Sequence, residues 1–140
     1  MEVFEFYFNF PKNEKEKLER KEIFEIFSFQ PKSEKEQCSF FVIGKLKNPL
    51  PANLHLLSQV ANFAGKFCEK VSSNFEKQFK EILINTNSFL EEISANEELY
   101  SLGNLEIAIL AINSFQFYFS ISQTTKILLL RGGEIRKIEE

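Results

Sequence analysis

Gly132 and Gly133 separate the apolar run KILLLR from EIRKIEE, and this pair restricts the fold more than any other feature of the sequence. A two-residue hairpin needs a primed turn with positive φ, which glycine adopts without steric cost. The pair closes a stretch from Gly103 to Glu140 that reads NLEIAILAI, NS, FQFYFSI, SQTT, KILLLR, GG and EIRKIEE. Asn113-Ser114 is a second, weaker turn signal. Phe115, Phe117, Phe119 and Ile121 recur at every second position, as one face of a strand requires. The spacing predicts an antiparallel meander of four strands over residues 104–139, with Phe117 in the core of a central strand.

The chain before this stretch divides into strands and then helices. Residues 3–10 place Phe4, Phe6, Phe8 and Phe10 on one face of a strand, which Pro11 ends. KNEKEKLER reads as a solvated connection with room for a helical turn. Residues 21–29 repeat the strand pattern and would form a hairpin with the first run; Pro31 and KSEKEQ then make a turn. Residues 38–43, CSFFVI, are apolar on both faces, as in a strand covered on both sides. Gly44 to Pro51 reads as an irregular link, because residues before proline avoid helical angles. A helix is expected over residues 52–72, with Leu57, Val60, Ala61, Ala64, Cys68 and Val71 on its buried side. Asn74 can cap a second helix over 74–94, buried through Phe75, Phe79, Ile82, Leu83, Thr86, Leu90 and Ile93. Segregated strands and helices predict a single α+β domain over residues 1–140, with antiparallel sheets and a helix pair on one face.

Composition excludes several function classes. The net charge is −3 and basic residues are interleaved with acidic ones, so no nucleic-acid surface is expected. The aromatic run at Phe115, Phe117 and Phe119 lacks the interleaved Arg or Lys of an RNA-stacking surface. No apolar run is long enough to span a membrane. MEVFEFYF carries acids where a secretory signal has basic residues, which predicts a cytoplasmic location. Cys38 and Cys68 lack a CxxC spacing and read as free, packed thiols. His55 is the sole histidine and has no nucleophile motif beside it, so no catalytic residue is assigned. The glycines form no phosphate loop. The 20 acidic residues are all Glu, and two cysteines with one histidine are a poor supply for zinc, so no metal or other cofactor is expected. Glu91-Glu92 and Glu97-Glu98 flank a helix end and read as solvated.

The run from Ser120 to Ile138, SISQTTKILLLRGGEIRKI, and the run from Cys38 to Asn48, CSFFVIGKLKN, together resemble the PPM-type protein phosphatases. These are metal-dependent serine/threonine phosphatases with an αββα sandwich. The second run resembles that family's apolar strand leading into an Asp-Gly-x-Gly-Gly turn and a helix. The first resembles its Gly-Asp turn, strand, glycine turn and further strand. The resemblance implies that Gly44 and Lys45 stand where a metal-binding Asp and its Gly would be. It likewise puts Gln123 and Thr124 at the Gly-Asp position. A lysine ammonium repels cations. The resemblance thus implies a partial sandwich without phosphatase activity, acting as a binding or regulatory module. An active phosphatase with an atypical metal site, or an unrelated α+β structural or assembly protein, are the alternatives. The family's order stops here at Ile138, so the sheet is expected to need cover from a second copy, a protein partner or a missing C-terminal part.

Overall fold

Gly44 opens the way for a helix to lie directly on a strand. An added Cβ there would sit 2.3 Å from Leu57 Cδ2, so any larger residue would force Leu57 to shift. The computed structural model describes residues 13–30, 38–68, 74–95, 104–113, 116–122, 126–131 and 133–138. Gly44 lies inside β2 (Cys38–Lys47), and β2 is the second strand of an antiparallel sheet ordered β1-β2-β3-β4. Its neighbours are β1 (Glu22–Phe29) and β3 (Leu105–Asn113), and β4 (Phe117–Ile121) follows β3. The expected irregular link after Ile43 is corrected here: the strand continues through Gly44, Lys45 and Leu46, paired on both sides, to Lys47, paired with Glu22 of β1. The expected strand over 3–10 lies outside the described residues.

A short helix, α1 (Glu14–Leu18), fills the charged connection before β1, and Asn13 Oδ1 caps it by accepting from the Glu16 amide at 2.9 Å. After β2 a single 3-10 turn, Pro51–Asn53, leads into α2 (Leu56–Cys68). Asn53 is buried and its side chain accepts from the Leu50 amide at 2.7 Å, which fixes this entry. Then comes α3 (Phe75–Ser94), where Asn74 Oδ1 accepts from the Lys77 amide at 2.8 Å, as its sequence position predicts. Gln78 is the buried residue that periodicity does not foresee. Its side chain donates to the Phe67 and Cys68 carbonyls in the last turn of α2.

Both long helices lie on one face of the sheet. Leu57, Val60, Ala61 and Ala64 of α2 and Phe79 and Ile82 of α3 pack with Phe40, Val42, Leu46 and Ile109 of the strands. Gly65 takes the ring of Phe29, whose nearest carbon would be 2.4 Å from an added Cβ. Cys38 and Cys68 are free and buried in the same layer. No helix among the described residues is long and apolar enough to cross a membrane.

Two expectations for the C-terminal stretch are corrected. All four strands form, but they do not make one meander. The sheet ends at β4, while β5 (Ile127–Arg131) and β6 (Glu134–Ile138) pair only with each other among the described residues. Gly133 has φ +82°, and Arg131 pairs with Glu134 across the predicted glycine turn. The second correction concerns Phe117, which is 38% exposed rather than a core residue. Cross-strand partners share a face, and Ala111, which looks into the helix layer, pairs with Tyr118. Tyr118 therefore takes the core side, against Phe75 and Phe79 at ring distances of 5.6 and 5.7 Å. Phe117, Phe119 and Ile121 are turned to the other face.

Candidate functional site

That other face of the sheet is where the chain departs most from what a solvated surface requires. Its residues follow from the register. From β1 come Phe24 and Ile26, from β2 Phe41 and Ile43, from β3 Leu110 and Ile112, and from β4 Phe117, Phe119 and Ile121. Phe41 in the middle of this face is buried, whereas Phe24 and Phe117 at its margins are 52% and 38% exposed. In an antiparallel sheet with one wet face, alternation should set polar residues outward. In β4 the alternation runs the opposite way. Tyr118 and Ser120 face the helices, and the apolar set faces away.

One end of the same face carries charge. Glu106 on β3 is buried, with Lys47 Nζ 2.5 Å from its Oε1 and Lys45 Nζ 3.9 Å from its Oε2. Lys45 also lies 3.3 Å from Glu22 of β1. The hydrogen bond to Glu106 holds the Lys47 ammonium above the ordinary lysine range; desolvation opposes this, and the charges of Glu106 and Glu22 add to it. Glu106 is the buried charged residue that the sequence reading passed over. The available signal was one carboxylate inside the apolar run LEIAILAI.

The residues singled out from the resemblance are separated by the fold. Gly44 is buried under Leu57 on the helix side. Lys45, the next residue, points to the opposite face and into the ion cluster. Gln123 and Thr124 lie outside the described residues. His55 is exposed before α2, its Nε2 3.2 Å from Glu14 Oε1. Among the described residues no group of His, Cys or Glu is arranged to hold a metal ion. Comparison with protein-family models, with curated proteins and with solved structures finds no match to this chain.

Proposed function

We propose that the chain is a noncatalytic binding module whose sheet face opposite α2 and α3 docks against the same face of a second copy. The inverted alternation of β4 carries this reading: Phe117, Phe119 and Ile121 point away from the helices while Ser120 points toward them. A sequence seldom spends its apolar positions on a permanently wet face. Charge supports a second copy as the occupant. Lys45, Lys47, Glu22 and Glu106 balance in sign, so two such faces meet without net repulsion. Size supports it as well. At ~4.8 Å between strands and ~3.3 Å per residue, strands of eight, ten, nine and five residues offer a face of roughly 500 Å². Two copies would bury roughly 1,000 Å², below the standard size of stable interfaces, which favours a weak, reversible dimer. The assembled pair would have helix, sheet, sheet and helix layers, the αββα order that the phosphatase resemblance implies.

Sedimentation over a wide concentration range tests the dimer. The expected result is a monomer–dimer equilibrium that Phe24→Glu weakens by at least about tenfold, without loss of folded signal. Phe24 is exposed, so the variant should fold. A species that stays at the 16.4 kDa monomer mass at all concentrations would overturn the reading. The noncatalytic part has its own test. Gly44 is packed under a helix, and Lys45 is committed to Glu22 and Glu106. Purified protein should therefore not hydrolyse p-nitrophenyl phosphate with manganese present. Turnover that disappears on adding a chelator would refute this.

A further inference from the structure

The inverted alternation of β4 has a consequence on the helix side of the sheet. Where a large apolar side chain would fill the space beneath α3, the chain has Ser120 and then Ser122. A cleft of about 290 Å³ remains between α3 and the β3–β4 pair. Leu83, Leu90, Ile107 and Ile109 give it apolar walls, and Thr86, Ser120 and Ser122 give it hydroxyls. None of its lining residues is charged.

Thr86 is the second observation. It is 3% exposed, and its Oγ1 is buried with no hydrogen-bond partner among the described residues. In a helix the threonine hydroxyl ordinarily bonds back to the carbonyl three or four residues earlier. Thr86 makes no such bond. A buried hydroxyl left unmade is costly, and because Oγ1 is itself closed off, a ligand in the cleft reaches it only when the Thr86 side chain turns toward the opening. Ser122 Oγ already accepts the Ile107 amide at 2.7 Å and keeps its own hydrogen to donate.

We propose that this cleft binds a small neutral amphiphile, consisting of a single ring or short branched chain with one hydroxyl or carbonyl group. The apolar body would lie against Leu83, Leu90 and Ile109, and the polar group would meet Thr86 and the Ser122 hydroxyl. The absence of lining charge disfavours phosphates, carboxylates and amines, which need a counter-charge when desolvated. The size sets the class. An apolar cavity of about 150 Å³ holds benzene, while drug-sized ligands need about 300–1,000 Å³. The cleft lies on the helix side and shares Ile121 with the proposed dimer face.

The full chain can be titrated with benzyl alcohol and with toluene, followed by amide chemical shifts. Saturable benzyl alcohol binding is expected, with shifts centred on Leu83, Thr86, Ile107 and Ser120. Thr86→Val keeps the shape of the side chain and removes the hydroxyl. It should weaken benzyl alcohol about fivefold and change toluene by less than about twofold. Ser120→Leu should fill the cleft and abolish both. The proposal is overturned if neither probe saturates, if the shifts map to another part of the chain, or if Thr86→Val treats both probes alike. Should Thr86→Val fail to fold, persistence of both probes in Ser120→Leu would overturn it independently.

Discussion

Single positions decide which face of a strand meets the core. In FQFYFSI the aromatic residues occupy both alternating sets, so the sequence left two facings open and the larger apolar set pointed to the wrong one. The pairing of Ala111 with Tyr118 settles it. Phe117→Asp should accordingly leave the monomer's unfolding free energy within about 1 kcal/mol of wild type. Tyr118→Ala removes a ring packed on Phe75 and Phe79 and should cost about 2–4 kcal/mol. Urea unfolding of dilute samples would compare the two; an equal loss would return Phe117 to the core. The helix glycine Gly65 gives a sharper sign test. Alanine gains up to about 1 kcal/mol in helix propensity but meets the Phe29 ring at 2.4 Å. Overpacking of this kind costs about 1–3 kcal/mol, so Gly65→Ala should destabilise on balance. A raised melting temperature would mean that Phe29 moves aside freely.

Elements were legible where a local device sets their ends. The Asn74 cap and the glycine turn before Glu134 each place a boundary by a stated contact, whereas the helix expected from residue 52 begins only at Leu56, after the 3-10 turn Pro51–Asn53. The end of β2 was not legible, because Gly44 reads as a strand breaker until Leu57 is seen above it. Lys45 and Lys47 then look like loop residues, although they alternate with buried Leu46 as a strand demands. Their partner Glu106 makes a testable asymmetry. Glu106→Gln leaves two lysines that can swing into water, and should cost less than about 1 kcal/mol. Lys45→Met with Lys47→Met strands a buried carboxylate and should cost about 1–3 kcal/mol. Equal costs would show that Glu106 is solvated. The raised Lys47 pKa carries a sign as well. Its contact with Glu106 contributes in full below the unfolded lysine value of ~10.4. The contribution is lost as pH rises through the higher folded value. Lys47→Met alone should therefore flatten the alkaline decline in stability; an unchanged decline would remove this contact as its cause.

At the scale of the whole molecule, pairing partners follow from contacts far apart in sequence, which turn signals cannot specify. The SQTT segment marks a break between strands and does not say whether the next strand joins the sheet. Among the described residues it does not: β5 and β6 form their own ribbon, with Leu128 61% exposed and Ile135 69% exposed. An isolated two-stranded hairpin is marginally stable in water. In contrast, β2 is paired on both sides and carries Phe40, Val42 and Leu46 under the helices. The two regions should therefore open with different free energies. Amides of β2 and β3 should exchange only through global unfolding, at the full stability of the domain. Amides of β5 and β6 should exchange through local opening, at least about a hundredfold faster, since each 1.4 kcal/mol of lower opening energy is tenfold in rate. The comparison is best made at low protein concentration, where the proposed dimer is dissociated. If raising the concentration slows exchange in β5 and β6 as much as it protects Leu110 and Phe119, the ribbon belongs to the same interface. If β5 and β6 match β2 even when dilute, the ribbon is held by the rest of the chain, and the division into a four-stranded sheet and a separate hairpin does not describe how the molecule opens.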